Sequence, residues 1–206
     1  MPSPSFNLRP GRPEDVAQMC EIYFDAFGSS IPTQTCFPPS SKQAHEFWQK
    51  SLGDEIHDPT ARFLVVEDTS TTPATAVAFA KWNAPDAPFQ PLPDLDAWPA
   101  DGNPQVAAEF FGKLWELHEQ IMGRRPHWYL ELIATRAGYQ GKGAGGMLIR
   151  WGTDRADEEG LESYLDATPE GKPVYERYGF RELETLRFFG GKYAQCFMIR
   201  DVKTRK

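Results

Sequence analysis

The most constraining feature of the chain is a glycine-rich turn that joins an apolar strand to a helix. The apolar run 128–135 leads into a short polar loop, and a glycine cluster then opens a helix that extends from 144 to about 159. Glycines let the backbone approach a ligand closely because they carry no Cβ atom. The unpaired N–H groups of the first helical turn, together with the helix dipole, favour an anion there. The turn therefore predicts a phosphate-binding site.

Two well-known phosphate-binding motifs fit this cluster poorly. A P-loop requires Gly, four residues and then Gly-Lys-Ser/Thr, and the chain has no such run. The dinucleotide fingerprint Gly-x-Gly-x-x-Gly matches Gly141, Gly143 and Gly146, and Asp166 follows at a distance suited to a ribose-binding carboxylate. However, the residues 136–140 separate the strand from the first glycine, whereas the dinucleotide fold turns almost directly from strand into glycine. A nicotinamide enzyme stays as an alternative.

A third motif fits the spacing better. Residues 140–145, Gln-Gly-Lys-Gly-Ala-Gly, match Gln/Arg-x-x-Gly-x-Gly/Ala, the pyrophosphate loop of acyl-CoA-dependent N-acyltransferases. Residues 174–180, Val-Tyr-Glu-Arg-Tyr-Gly-Phe, are close to a second motif of those enzymes, Leu-Tyr-Glu-Lys-x-Gly-Phe. On these two motifs the chain resembles the Gcn5-related N-acetyltransferase (GNAT) superfamily and is similar to a fungal branch of it. The stretch 128–183 carries the resemblance, and upstream of it the match is mainly one of element order.

The resemblance implies a mixed α/β fold with a central twisted, mostly antiparallel sheet and helices on both faces. Residue patterns agree with that order and with one domain spanning 1–206. Apolar alternation and β-branched runs predict strands at 6–9, 62–67, 75–82, 128–135, 163–167, 181–188 and 193–200. Helical spacing and capping residues predict helices at 13–27, 41–52, 105–122, 144–159 and 171–178.

The resemblance also implies acetyl-CoA as cofactor, with CoA as product. The pantetheine arm is expected to pair with the strand backbone at Leu132, Ile133, Ala134 and Thr135. The pyrophosphate is expected on the turn formed by Gln140, Gly141, Lys142, Gly143, Ala144, Gly145 and Gly146. Lys142 either adds charge at the phosphates or is simply solvated. Thr168 is also expected to contact the cofactor; it stands where many members have a cofactor-contacting asparagine, so the detailed contacts at that position are expected to differ.

Acylation of an amine needs a base, because an alkyl ammonium group has a pKa of about 10 and must lose a proton before it attacks. Glu131 is the predicted base, since a carboxylate in an otherwise apolar strand must face a cleft or solvent; an ordinary exposed strand residue is the alternative. Asp166, at the end of the next strand, is the second candidate base and could hold the substrate ammonium. His118 and His127 are weaker candidates, because lone histidines are more often structural.

Tyr175 is the predicted general acid. This role follows from the resemblance, in which the tyrosine of the second motif lies beside the CoA sulfur. Its alternative role is packing of the helix against the sheet.

The segment 83–104 contains six prolines, which exclude a helix or an inner strand. It is either a solvated surface loop or a lid over the acyl-acceptor site, because long ordered loops in compact domains often bind ligands. Four large apolar side chains could anchor such a lid: Phe89, Leu92, Leu95 and Trp98.

Composition restricts the partners. A net charge of −7 argues against nucleic acid and is compatible with a cationic amine. No apolar window is long enough to span a bilayer or to resemble a signal peptide, and the three cysteines lack metal-ligand spacing. We therefore expect a cytoplasmic enzyme, with no metal and no membrane partner, that acetylates a small primary amine. The resemblance also implies a possible homodimer, because homodimers are common in that superfamily. A peptide or protein amine is the second acceptor class, and a non-catalytic acyl-CoA-binding sensor or subunit is the alternative function.

Overall fold

The computed structural model describes residues 4–88 and 92–203, and these residues build one seven-stranded sheet. The strands are β1 (Phe6–Pro10), β2 (Ala61–Asp68), β3 (Thr75–Asn83), β4 (His127–Thr135), β5 (Glu162–Ala167), β6 (Arg181–Phe188) and β7 (Tyr193–Arg200). Their order across the sheet is β1-β2-β3-β4-β5-β7-β6. Only β4 and β5 run parallel, and the other neighbours are antiparallel. The predicted mixed α/β fold with a mostly antiparallel sheet is confirmed.

Six α-helices lie in the described part of the chain: α1 (Val16–Phe27), α2 (Ile31–Cys36), α3 (Lys42–Glu55), α4 (Pro104–Met122), α5 (Ala144–Glu159) and α6 (Lys172–Glu176). Helix α2 was not predicted from the sequence. It is a six-residue helix with proline in its first turn, and Ser30 caps it by accepting a hydrogen bond from the Thr33 N–H. So short a segment shows no helical periodicity. Helix α6 is shorter than predicted and ends at Glu176.

The helices cover both faces of the sheet, as predicted. Successive strand residues point to opposite faces, and in β2 both Val65 and Val66 are fully buried. Val66 shares a core cluster with Leu148 of α5, whereas Val65 shares one with Ile22 of α1. Helix α4 packs on the α1 face, where it buries Tyr164 of β5. One face of the sheet is therefore left to α5 and α6, and the other to α1 and α4.

Helix α5 lies unusually close to the sheet. A Cβ atom on Gly152 would stand 2.2 Å from the Trp82 ring of β3, so only glycine allows this approach. The indole N–H of Trp82 donates a hydrogen bond to the carbonyl of Leu148, at 3.1 Å. The contact fixes the start of α5, and the glycine turn before it, relative to β3 and β4.

The sheet opens between β4 and β5. These strands pair from His127–Glu162 to Leu130–Leu165 and no further, although β4 continues along β3 as far as Thr135. A bulge on β4 places Glu131 between two register positions, because Lys81 pairs with Leu132 while Trp82 pairs with Leu130. Bulges bend a strand and re-aim its side chains. The result is a cleft at the carboxyl ends of two parallel strands.

The proline-rich segment leaves the end of β3 and returns at the start of α4. Trp98 is 5% exposed and stacks on Phe47 and Phe111, with ring centroids 5.5 Å away in both cases. Leu92 and Leu95 are 38% and 49% exposed, so the prediction that they anchor the segment is wrong. The fourth predicted anchor, Phe89, lies outside the described residues. The proline-rich segment is thus anchored by the stacked aromatic rings around Trp98. Planar rings pack into such a stack better than the branched side chains of leucine.

Two further sequence observations can be compared with the structure. The three cysteines are all buried and carry free thiols. Among the residues that the structure describes, no helix combines the length and the apolar character that crossing a membrane requires.

Candidate functional site

A cavity of about 1840 Å³ extends from the opening between β4 and β5. At one end it is lined by the glycine turn, and at the other by acidic residues of β4 and β5 together with residues of α3. The cavity brings together most of the residues predicted from the sequence: Glu131, Leu132, Ile133, Ala134, Thr135, Gln140, Gly141, Gly143, Gly145, Gly146, Asp166, Thr168 and Tyr175. Lys142 and Ala144 are not among its lining residues.

The edge of β4 that faces β5 carries no strand partner beyond Leu130. The backbone groups between Leu132 and Thr135 on that side are therefore available, and an unpaired strand edge is a template for another extended chain. A pantetheine arm has the amide groups and the extended shape that such an edge can pair with. This observation fits the predicted cofactor contact at these residues.

The glycine turn presents backbone amides rather than side chains. Gly141 and Gly143 have φ angles of +73° and +103°, which favour glycine, and a Cβ atom at either position would meet nothing within 4 Å. Gly143 is the N-cap of α5 and provides no side-chain cap, so the amides of the first helical turn remain for an anion. The turn has the open space and the donors that a pyrophosphate requires.

Two polar side chains of the turn hold the turn itself. The Lys142 ammonium donates to the carbonyl of Gly138, at 2.7 Å, and lies 5.2 Å from the centre of the Tyr139 ring. The Gln140 side chain donates to the carbonyl of Thr135, at 3.2 Å. The lysine contact ties the turn to the preceding loop, and the glutamine contact ties it to the end of β4, so the glutamine of the motif shapes the loop through its side chain.

Helix α1 supports the same loop from below, which the sequence did not indicate. The Asp25 carboxylate accepts a hydrogen bond from the Ala137 N–H, at 2.7 Å. The Arg136 guanidinium donates to the carbonyl of Ala76 and to Glu21, both at 3.0 Å. These partners lie far away in the chain, so only the fold reveals them.

Tyr175 lies buried on α6 at the edge of the cavity. Burial raises the pKa of its phenol, so the hydroxyl keeps its proton at neutral pH. Within the described residues, no hydrogen bond involves this hydroxyl. Thr168 holds the start of α6, because its Oγ1 accepts a hydrogen bond from the Gly171 N–H, at 3.0 Å. Thr168 therefore positions the turn that carries Tyr175.

Asp166 has the environment of a group that exchanges protons near neutrality. It accepts hydrogen bonds from the hydroxyls of Tyr164, at 2.8 Å, and Tyr129, at 3.0 Å. Burial raises the pKa of Asp166 from 3.8 to about 7, against the opposing effect of the two hydroxyls. The negative charge of Glu131 adds to the increase. This carboxyl group lines the cavity next to the end of β4.

Glu131 lies at the β4 bulge with its side chain 36% exposed, and its Oε2 is already engaged. This oxygen accepts hydrogen bonds from Lys81, at 2.7 Å, and from Asn83, at 2.6 Å. Lys81 also contacts Glu55 at the end of α3, with Nζ 2.8 Å from Oε2. Lys81 and Glu55 were missed in the sequence, although a lysine within the apolar run of β3 carries the same signal that drew attention to Glu131.

His118 and His127 form a pair, with 2.7 Å between their Nε2 atoms. His127 Nδ1 lies 2.7 Å from the carbonyl of Arg125 and must donate to it, so its Nε2 accepts a hydrogen bond from His118. Burial, with a smaller effect of His127, lowers the pKa of His118 to about 3. The His118 ring also stacks on Tyr164, with centroids 4.3 Å apart. Both rings have the contacts of structural residues, and both also line the cavity.

A family model described as the acetyltransferase (GNAT) family matches residues 16–180. Because the match covers most of the chain, the protein belongs to this family. The two motifs on which the resemblance rested, the glycine turn and the Tyr175 segment, both lie within the matched range.

Solved structures share the fold at low sequence identity. A Corynebacterium glutamicum protein described as histone acetyltransferase HPA2 and related acetyltransferase has 20% identity and a TM-score of 0.67, covering 98% of this chain and 99% of that one. A Drosophila melanogaster polyamine N-acetyltransferase has 14% identity and a TM-score of 0.66, covering 96% and 100%. A mosquito protein described as arylalkylamine N-acetyltransferase like 5b has 16% identity and a TM-score of 0.64, covering 95% and 99%. At such identities the likeness establishes the fold only.

Proposed function

We propose that this protein transfers an acetyl group from acetyl-CoA to the primary amine of a small molecule. The observation that carries the proposal is the opening between β4 and β5 after the Leu130–Leu165 pair. It joins an unpaired strand edge and an amide-rich turn, which suit CoA, to the half-buried carboxyl group of Asp166 and a protonated phenol, which suit amine acylation. Two of the three solved structures named above are described by small amines, a polyamine N-acetyltransferase and an arylalkylamine N-acetyltransferase like 5b, which supports a small acceptor, whereas the third is described as a histone acetyltransferase.

Acetyl-CoA, when bound, supplies a thioester whose C–S bond is replaced by the C–N bond of the product amide. Residues 132–135 would hold its pantetheine arm, and the amides of the glycine turn its pyrophosphate. Lys142 donates to Gly138, so the phosphates would be held by backbone amides and the dipole of α5 more than by a side chain.

Asp166 is the base in this proposal. With its pKa raised to about 7, the carboxylate can take a proton from the substrate ammonium at Oδ1 or Oδ2, which leaves a nitrogen lone pair for attack. The sequence pattern first indicated Glu131 for this step. Its carboxylate is instead compensated by the fixed ammonium of Lys81, so we assign Glu131 to holding the acceptor ammonium beside Asp166.

Tyr175 is the acid. Its hydroxyl keeps its proton because burial raises the pKa of the phenol. A protonated phenol can give its proton to the departing sulfur, and the second proton of the attacking amine then returns to the phenol, while the proton that Asp166 took is released to solvent. The overall reaction converts one ammonium and one thioester into an amide, a thiol and one proton.

The proline-rich segment is proposed to cover the acceptor end of the cavity. Pro85, Ala87 and Pro88 line that cavity, and Trp98 fastens the returning end of the segment. Asp101 accepts a hydrogen bond from Ser41 at the start of α3, at 2.6 Å. A cover fastened at this end would favour small acceptors over extended peptides.

The test is an amine-dependent thiol-release assay with acetyl-CoA, run together with thermal unfolding in the presence of acetyl-CoA. We expect stabilisation by acetyl-CoA and thiol release with at least one small primary amine. Stabilisation without release from small amines, but with release from peptides, would replace the small acceptor with a protein substrate. Stabilisation without any release would indicate a CoA-binding sensor. Stabilisation by NAD(P) in place of acetyl-CoA would contradict the assignment of the glycine turn.

A further inference from the structure

Lys81 is a charged residue buried in the wall of the acceptor cavity. Its side chain is 5% exposed, and its ammonium bridges two carboxylates, 2.8 Å from Glu55 and 2.7 Å from Glu131. Burial lowers the pKa of Lys81, but the charges of Glu131 and Glu55 outweigh burial and hold the pKa above its usual value. All three residues line the cavity. The protein thus supplies its own cation at the acidic wall.

We propose that Lys81 takes the place that a second ammonium group of the substrate would occupy, so that the acceptor is a monoamine with an aromatic or similarly apolar body. The inference rests on the proposed function, and it names the acceptor class for the same site. It separates two kinds of small amine, polyamines and arylalkylamines, that the fold alone cannot distinguish.

The first support is the local charge balance. Glu55 and Glu131 carry two negative charges, and Lys81 returns one positive charge between them. Asp166 is about half ionised near neutral pH, since its pKa is raised to about 7. The site therefore has room for one additional cation, namely the reacting ammonium. A polyamine would bring further charges to a wall whose second carboxylate is already compensated.

Other charged groups also line the cavity, and most of them do not favour a polycation: Asp54, Asp58, Arg124, Arg125, Glu170, Arg177 and Lys192. Arg124 and Lys192 are basic, so they would repel it. Asp54 is already paired with Lys50, at 2.5 Å. Asp58 accepts from the backbone and hydroxyl of Thr60, both at 2.7 Å.

The second support is the aromatic surface next to the acidic wall. Trp48, Ser51 and Glu55 lie on one side of α3 at i, i+3 and i+7, and all three line the cavity. The Trp48 ring packs on Tyr23, with centroids 3.9 Å apart. Because a helix rises 1.5 Å per residue, this aromatic surface begins within roughly 10 Å of the Glu55 carboxylate. An aromatic ring on a short alkylamine chain would bridge that distance.

The experiment compares 2-phenylethylamine with 1,4-diaminobutane. Binding to the CoA-saturated protein is measured by calorimetry, and kcat/KM by thiol release from acetyl-CoA. For the wild type we expect 2-phenylethylamine to exceed the diamine by about tenfold or more in both quantities, the factor that corresponds to one lost ion pair. In Lys81→Met, Glu55 and Glu131 lose their shared cation, so the diamine should gain at least about tenfold relative to the monoamine. Lys42→Met is the matched control, since Lys42 forms an exposed pair with Glu46 away from the cavity.

The double variant Lys81→Met/Glu55→Gln should lose the improvement of the diamine relative to the monoamine, because only one of the two carboxylates remains at the wall. If Lys81→Met fails to fold, Lys81→Arg keeps the cation and should preserve the wild-type preference, and the wild-type comparison itself still decides. A wild-type preference for the diamine, or equal selectivity in the wild type and Lys81→Met, would overturn the inference while leaving acetyl transfer intact. Conversely, selective binding of the monoamine without thiol release would uphold the acceptor class and refute the enzymatic activity.

Discussion

Replacing Asp166 with asparagine tests the proposed base directly. The side chains have nearly the same shape, and the single amide oxygen of asparagine can accept one of the two hydrogen bonds that Tyr129 and Tyr164 donate to Asp166, while the other hydroxyl turns to accept from the amide nitrogen. The variant therefore removes proton exchange with little change in packing. We expect kcat/KM at high pH to fall by about 10²- to 10⁴-fold, the usual contribution of a positioned acid or base.

The pH dependence of the difference is more diagnostic than its size. With a pKa of about 7, Asp166 is about nine-tenths ionised one pH unit above that value and about one-tenth ionised one unit below it. The activity that depends on the carboxylate should therefore fall as pH falls through about 7. In Asp166→Asn this decrease of activity with falling pH should be absent.

The assay is thiol release at saturating acetyl-CoA between about pH 5.5 and about pH 8.5, with kcat/KM determined for one amine. The quantity to plot is the ratio of wild type to variant, because the titration of the amine affects both proteins equally and cancels. The ratio should be constant at high pH and decline below about pH 7. Tyr129→Phe is the companion variant. Its lost hydrogen bond stabilised the carboxylate, so the decline should move to higher pH.

A ratio that stays flat over the whole range would refute the assignment of Asp166 as base, even if the variant were slow. A decline that Tyr129→Phe leaves in place would show that the titrating group is elsewhere in the cavity. In that case Glu55 would be the next candidate, because burial raises the pKa of its carboxyl group.

The same pKa shift predicts an effect on stability, which needs no substrate. Folding raises the pKa of Asp166 from 3.8 to about 7, so its favourable contribution is fully present below about pH 4 and is lost as pH rises through about 7. The shift of about 3 pKa units corresponds to at most about 4 kcal/mol. The free energy of unfolding of Asp166→Asn, relative to that of the wild type, should therefore increase as the pH is raised from about 4 to about 8. Urea unfolding of both proteins at the two pH values measures this relative stability. If the difference between variant and wild type is the same at both pH values, the burial argument is contradicted.

Three other substitutions test the remaining parts of the site. Tyr175→Phe should leave the Kd for CoA nearly unchanged and reduce kcat by about 10²- to 10⁴-fold, measured by calorimetry and thiol release; unchanged turnover would remove the phenol from the mechanism. Gly143→Ala places a side chain at a φ of +103° and should weaken CoA binding by about tenfold, whereas Gly138→Ala, where a Cβ atom meets nothing within 4 Å, should not. Trp98→Ala should cost about 3–5 kcal/mol in urea unfolding and raise KM for the amine more than for acetyl-CoA; equal effects on both KM values would argue against a cover on the acceptor side.

The cofactor half of the site could be predicted from the sequence because its signals are local. A strand, a glycine turn and a helix follow one another within residues 127–159, and the motif around Tyr175 lies a short distance beyond. The positive φ angles of Gly141 and Gly143 are properties of single residues, which sequence reasoning can anticipate. The contacts that brace this turn from α1 were not predictable, since Asp25 and Ala137 are 112 residues apart.

The acceptor half depends on register, which the sequence does not reveal. Alternation alone puts Glu131 on the same side of β4 as Tyr129, but a bulge at Glu131 shifts the pairing with β3 and brings the carboxylate to Lys81. Glu55 reaches the same lysine only because α3 ends at that point over the sheet. Each of these charged residues, read alone, resembles an exposed side chain.

Environment rather than position therefore separates the roles of the two carboxylates in the cleft. Glu131 and Asp166 both lie where β4 and β5 diverge, and the sequence pattern favoured Glu131 because it interrupts an apolar strand. In the fold, Glu131 faces a full positive charge at 2.7 Å, whereas the half-buried Asp166 has only the neutral hydroxyls of two tyrosines as hydrogen-bond partners. A carboxylate that is stabilised only by dipoles in a desolvated site gains from accepting a proton. The arrangement predicts that an arriving ammonium is held between both carboxylates and gives its proton to Asp166.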